Sequence, residues 1–202
     1  MIELDALEAR ILGCLIEKEA TVADNYPLTL NSLKLACNQK SARHPVMNIA
    51  DGELLRCAHL LADKSYILVE DNFGKIEKYR HRFGRILEID KPGLSVIAIL
   101  LLRGEQTLNE IYTRSKRIFA FDSQSQAYEE LLKLIENEWV VKLPKRAGTK
   151  EHRYMHQLCG KIDINEAELN TPQLTPLEEK VATLEARVDD LQDLIDELME
   201  KI

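Results

Sequence analysis

Five histidines, four cysteines and several clusters of arginine and lysine are the side chains in this sequence that can do chemistry. His152, His156 and Cys159 have a spacing that can gather three zinc ligands. They lack an evident fourth donor, and the two histidines fall on an expected exposed strand, so solvated surface is the preferred reading. Cys57 and His59 stand two apart on an expected helix and point to different faces. There is no G-x-S-x-G, no Gly-rich phosphate loop and no H-E-x-x-H. The expectation is a protein that is not an enzyme, with no catalytic residue, no metal and no cofactor. Cys14, Cys37 and Cys57 sit among apolar neighbours and read as small core hydrophobes, without a disulfide framework.

The basic clusters carry the positive signal. Lys75, Lys78, Arg80 and Arg82 crowd one expected hairpin; in a strand the last three share a face and line a phosphate track. Lys40 and Arg43, with His44, precede an expected third helix. Arg114, Lys116 and Arg117 take the equivalent place further on, and Lys145, Arg146 and Lys150, with Lys142 and Arg153, surround a second hairpin. Taken one at a time, each cluster reads as surface charge that keeps the chain soluble. Their recurrence at matching places points to double-stranded DNA. Against this, the first candidate recognition helix opens Asp51-Gly52-Glu53, which repels phosphates. The second opens Ser123-Gln124-Ser125-Gln126, where Gln can pair with adenine edges, but then carries Glu129, Glu130, Glu136 and Glu138. The polar run Asn38–Arg43 reads either as a helix stop and turn or as a docking surface for phosphate or peptide.

These residues need elements to hold them. Asp5 and Glu8 form a capping-box pair ahead of Leu7, Ile11, Leu12, Leu15 and Ile16 at helical spacing. Thr29 caps a short second helix, and Asp51 caps a third with Leu54, Leu55, Ala58, Leu61 and Ala62 inward. Residues 66–69 and 76–83 read as two strands around a turn. The order then repeats. Pro92 stands at a helix start and Gly104 at its stop. Thr107 and Glu110 box a short helix, and Asp122 or Ser123 begins another with Tyr128, Leu131, Leu132 and Ile135 inward. Residues 139–143 and 152–157 read as strands. The fold class is mainly α with small β wings: two tandem winged helix-turn-helix domains, 1–84 and 85–160, each holding its own core. A polar linker follows at 161–176, then a coiled-coil helix at 177–202.

That last segment spaces Leu177, Val181, Leu184, Val188, Leu191, Ile195, Leu198 and Ile202 by fours and threes. Leucine at every d and a β-branched residue at every a favour a parallel two-stranded coil, hence a homodimer; an amphipathic helix folded onto its own domains is the alternative. The chain has 202 residues, 45% apolar and 30% charged, an ordinary globular composition. Its longest apolar run, 94–102, is interrupted by Ser95 and too short for a bilayer, and its acidic start is unlike a secretory signal, so the reading is cytoplasmic with no membrane partner. The net charge of −7 is uneven. Residues 1–84 carry 11 basic against 12 acidic side chains, 85–160 carry 12 against 10, and 161–202 carry 4 against 12. The heads are nearly neutral, so local patches decide.

Pro27-Leu28-Thr29-Leu30-Asn31, Leu35-Ala36-Cys37-Asn38-Gln39-Lys40-Ser41, Arg43 and Pro45-Val46 resemble the YceH family of bacterial proteins, whose function is unassigned. Ile16-Glu17-Lys18-Glu19, 78–83, Leu102-Arg103-Gly104, Gln106-Thr107 and Leu143-Pro144 extend the resemblance over about residues 3–158. It implies a tandem pair of winged helices and supplies no catalytic residue or substrate. Glu105 stands where the family usually has Pro and Asn109 where it often has Gly, which questions the geometry at the start of the second domain's short helix. Two functions follow as expectations. One is a dimeric, regulator-like DNA-binding protein with its wings on phosphates. The other is an interaction scaffold for a protein partner, like the tandem winged-helix subunit of bacterial condensin.

Overall fold

The computed structural model describes residues 2–70, 76–146, 149, 151–162 and, further on, 184, 188 and 191. The first half runs α1 (Ala6–Thr21), β1 (Leu28–Thr29), α2 (Leu30–Cys37), α3 (Asp51–Asp63), β2 (Ile67–Glu70), β3 (Lys78–His81) and α4 (Phe83–Leu87). The second runs α5 (Lys91–Arg103), β4 (Gln106–Thr107), α6 (Leu108–Arg114), α7 (Gln124–Glu136), β5 (Val140–Lys142) and β6 (Arg153–His156). Side chains set the starts. The Asp5 carboxylate accepts from the Leu7 and Glu8 amides at 2.8 and 2.7 Å, and Glu8 reaches back to the Asp5 amide at 3.0 Å. Thr107 and Glu110 repeat that box on α6, so Glu105 and Asn109 leave the helix start intact.

The two halves match in detail. α3 buries Leu54, Cys57, Ala58 and Leu61; α7 buries Ala127, Glu130, Leu131 and Leu134 at the same spacing. Each helix leaves through a left-handed residue, Ser65 (φ 60°) and Glu138 (φ 59°). The next amide returns to the last turn, Tyr66 to the Leu61 carbonyl and Trp139 to the Leu134 carbonyl, both at 2.9 Å. The sheets are antiparallel with orders β1-β3-β2 and β4-β6-β5. Tyr79 and Tyr154 hold their middle strands. Thr29 and Thr107 each end an edge strand and cap the next helix, which is why the hairpins expected from sequence are three-stranded sheets.

Three expectations are corrected. Asp51 does not cap α3: Ala50 is the cap, without a side-chain bond, and Asp51 pairs with Lys34 at 2.7 Å. Tyr128 and Leu132 are not inward on α7; they are 36% and 45% exposed, because Ala127, Leu131 and Leu134 already fill the inner stripe of a 3.6-residue helix. Glu130 takes the remaining inner place and holds Lys133 at 2.9 Å. Nor does each half close its own core: one apolar cluster runs through both. α1 and α5 meet at its centre, where a Cβ on Gly13 would come within 2.9 Å of Leu102. The Leu4 amide donates to the Leu158 carbonyl at 2.7 Å and the His44 amide to the Leu102 carbonyl at 2.8 Å, tying the halves further.

Among the described residues no helix is long and apolar enough to cross a membrane. Of the heptad series, Leu184, Val188 and Leu191 are helical and 58, 50 and 57% exposed. Leu177, Val181, Ile195, Leu198 and Ile202, and residues 163–176 of the expected linker, lie outside the described residues.

Candidate nucleic-acid interface

The 38–50 connection is a clamp, and Arg43 belongs to it. Asn38 donates through Nδ2 to the Ile49 carbonyl at 3.0 Å and accepts from the Ile49 amide at 2.8 Å. The Arg43 side chain is wholly buried. Its terminal nitrogens reach the Glu17 carboxylate at 2.6 and 3.2 Å, and its Nε donates to the Ala36 carbonyl at 3.1 Å. Gln39 accepts a further bond from it at 2.6 Å. Burial opposes ionisation of Glu17, but Arg43 and then Lys18 outweigh it and hold the carboxyl below its ordinary value. Arg43 is therefore withdrawn from any phosphate surface, whereas Lys40 stays exposed.

Three arginines of the second half are tied down as well. Arg114 has a nearly buried side chain, bonded to Gln106 and 3.5 Å from Glu110. Arg146 pairs with Glu105. Arg153 donates to the Glu105 carbonyl and the Glu110 carboxylate, both at 3.0 Å. Lys116 is exposed over the Tyr112 ring, 5.3 Å from its centroid, and Arg117 and Lys145 are exposed. Lys150, and in the first half Lys75, lie outside the described residues. Among the described residues Glu105 and Glu110 thus engage Arg114, Arg146 and Arg153, while Lys116, Arg117, Lys142 and Lys145 stay exposed.

The first sheet differs. Alternation along β3 turns Tyr79 and His81 inward and leaves Lys78 and Arg80 on the other face. His81 is fixed by three bonds. Its Nε2 meets Glu19 at 2.9 Å, its Nδ1 accepts from the Phe83 amide at 3.2 Å, and its own amide donates to the Tyr26 hydroxyl at 2.8 Å. Beside it lies a groove of about 360 Å³ lined by Leu68, Arg80, Arg82 and Arg85, with Glu19 as its acid. Arg80 is 3.2 Å from Glu70. Arg82 and Arg85 make no side-chain bond to any described residue. By register, Met155 and Gln157 stand in the second sheet where Arg80 and Arg82 stand in the first. Arg85 was not legible in the sequence, because its position depends on α4, a one-turn helix without a side-chain cap.

The remaining surfaces are mixed. α3 exposes Asp51, Glu53, Arg56, His59 and Leu60; α7 exposes Gln124, Tyr128, Glu129, Leu132 and Glu136. A second groove, about 390 Å³, runs past Val22, Pro27, Leu28 and the 65% exposed Leu35, with Lys18 and Lys78 on its wall. Among the described residues no three His, Cys, Asp or Glu side chains are grouped to hold a metal.

Residues 4–149 match a family model described as a protein of unknown function, DUF480. A UPF0502 protein of Azotobacter vinelandii is 47% identical over 163 residues, covering 80% of this chain and 72% of that one. A UPF0502 protein of Cellvibrio japonicus is 41% identical over 210 residues, covering 98% and 95%. One of Vibrio campbellii is 40% identical, covering 90% and 91%. The chain belongs to this family of uncharacterised bacterial proteins.

Proposed function

We propose that this family member is a cytoplasmic, non-catalytic DNA-binding protein that holds the duplex by its phosphates. Its heads are two tandem winged-helix domains, 1–84 and 85–160, and a coiled-coil helix at 177–202, reached through the linker 161–176, pairs two copies. The repeated order of helix, edge strand, helix, helix and two strands supports the heads. The exposed stripe of Leu184, Val188 and Leu191 supports the pairing. The observation that carries the DNA reading is the groove on the first sheet, where Arg82 and Arg85 are unengaged among the described residues, beside Arg80; Lys78 shares the outer face of β3 with Arg80 and borders the second groove. Guanidinium groups suit phosphate oxygens bidentately, and such contacts position a protein without reading sequence. The mixed, partly acidic faces of α3 and α7 fit this division: the wing binds, and the helices contribute little base recognition.

The test is affinity for a random duplex across a salt series, with Lys78, Arg82 and Arg85 changed together to Ala. Wild-type binding should fall steadily with salt, and the variant should lose about 2–3 from the slope of log K against log salt, roughly 0.9 per phosphate contact. Lys145→Ala, on the second wing, should leave the slope nearly unchanged. Absence of duplex binding at low salt overturns the reading. The groove beside Leu35 and the exposed Tyr128 and Leu132 favour the second reading, a scaffold for a protein partner. That reading predicts recovery of a partner by the full chain and loss of it in Leu35→Asp.

A further inference from the structure

The groove beside the first sheet holds one group that phosphates alone do not explain. Glu19, near the end of α1, lines it together with Arg80, Arg82 and Arg85. Among the described residues it bonds to none of the three. Its Oε2 meets His81 Nε2 at 2.9 Å, and Arg80 turns instead to Glu70 at 3.2 Å. His81 accepts at Nδ1 from the Phe83 amide at 3.2 Å, so its ring proton sits on Nε2 and is donated to Glu19. That bond outweighs burial and holds the Glu19 carboxyl below its ordinary value. The Glu19 side chain is 44% exposed, so an ionised acceptor stays open to the groove. A DNA backbone has no hydrogen-bond donor to give it and meets it only with like charge. Nor does the fold require this arrangement, as the second sheet shows. There Met155 and Gln157 replace Arg80 and Arg82, and Val141 is 9% exposed where Leu68 is 42% exposed. His156 accepts at Nδ1 from the Leu158 amide, as His81 does from Phe83, but has no acid partner among the described residues.

We propose that the groove binds a ribonucleoside 5′-phosphate, with Arg82 and Arg85 on the phosphate and the Glu19 carboxylate accepting from the ribose hydroxyls. Unpaired guanidinium groups match phosphate oxygens. A carboxylate is the usual acceptor for a ribose hydroxyl in dinucleotide sites. Keeping that carboxylate on His81 leaves donors and acceptor separate in one groove, instead of cancelling each other, and a ligand that is both anion and hydroxyl donor uses both. Leu68 offers the base an apolar surface that does not distinguish one base from another. The volume, about 360 Å³, lies at the low end of the roughly 300–1,000 Å³ of small-ligand sites and suits a single nucleotide. Ligand and duplex would both use Arg82 and Arg85, so displacement of a duplex by the nucleotide rests on the DNA reading, whereas nucleotide binding does not.

The test is calorimetric titration of the full chain, without DNA, by adenosine 5′-monophosphate, its 2′-deoxy analogue and inorganic phosphate. The ribonucleotide should bind at least about tenfold more tightly than the deoxynucleotide, because the lost hydrogen bond is to a charged group. The uridine and guanosine monophosphates should follow the adenosine one. Glu19→Gln keeps an acceptor for His81, and its circular dichroism should match the parent. It should tighten inorganic phosphate by removing a negative charge, and narrow the ribose preference to about threefold, since a charge-assisted bond is about twice as strong as a neutral one. Arg82→Ala with Arg85→Ala should abolish binding of all the probes. Equal affinity for ribonucleotide and deoxynucleotide in the unaltered chain, or no saturable binding of either at millimolar concentration, overturns the proposal. So does a ribose preference that Glu19→Gln leaves unchanged. None of these outcomes bears on duplex binding, which the salt series tests separately.

Discussion

Arg43 and Arg82 carry the same charge in the same half of the chain and end in opposite surroundings. Arg43 is buried on Glu17, 26 residues away, whereas Arg82 opens onto the first-sheet groove. A run of basic residues does not distinguish the two, because the partner that buries one is set by packing of α1 against the loop. For that reason Arg43 read as a phosphate contact and Arg85 did not. Arg43→Met leaves the Glu17 carboxylate without its main partner and should lower stability by about 3–5 kcal/mol in urea titration at neutral pH. Glu17 has a folded pKa below its unfolded value, so its contribution is present above the ordinary carboxylate value near 4.3 and is lost as pH falls through the folded value. The variant should lack this part of the acid limb. His156 gives a second pH signature of different origin. Burial pulls its pKa down to about 4, so the folded state favours the neutral ring. Its contribution is complete above the unfolded value of about 6.5 and declines as pH falls towards 4, by on the order of 3 kcal/mol in all. His156→Gln can still accept from the Leu158 amide and should flatten the stability profile between those limits, read by urea midpoints at stepped pH.

At the scale of elements, what is local was legible and what is paired at a distance was not. The boxes at Asp5/Glu8 and Thr107/Glu110, the cap at Thr29 and the stop at Gly104 all stand where the residue types place them. The edge strands β1 and β4 are two residues long and exist only because β3 and β6 lie beside them, so no periodicity announces them. The same holds for the seam between α1 and α5, whose closeness depends on Gly13 facing Leu101 and Leu102. Gly13→Val should therefore cost roughly 1–3 kcal/mol, since Leu102 has no free space to retreat into. Gly52 is the matched contrast. It lies exposed in α3 with only Arg56 nearby, 3.7 Å from an added Cβ. Gly52→Ala should raise stability by up to about 1 kcal/mol through helix propensity alone. Thermal or urea unfolding of the two variants beside the parent checks both signs.

On the scale of the whole molecule, a repeat drawn from sequence suggests two independent beads, and the packing opposes that picture. α5 is buried on nearly every side from Ser95 to Arg103, because α1 covers the face that its own half leaves open. The Leu4–Leu158 and His44–Leu102 backbone bonds cross the same boundary, and each would lose a buried partner if one half opened alone. Unfolding should then be one cooperative transition. Trp139 is the sole tryptophan and lies beside β5 in the second half, so its fluorescence reports that half, while far-ultraviolet circular dichroism reports helices in both. The two probes should give the same urea midpoint. Gly13→Val, a change on α1, should move the Trp139 midpoint as far as it moves the helical signal. Two separate transitions, or a Trp139 midpoint unmoved by Gly13→Val, would show that the heads fold alone. The first sheet would then be free to reorient against the second half, instead of holding one fixed angle to it.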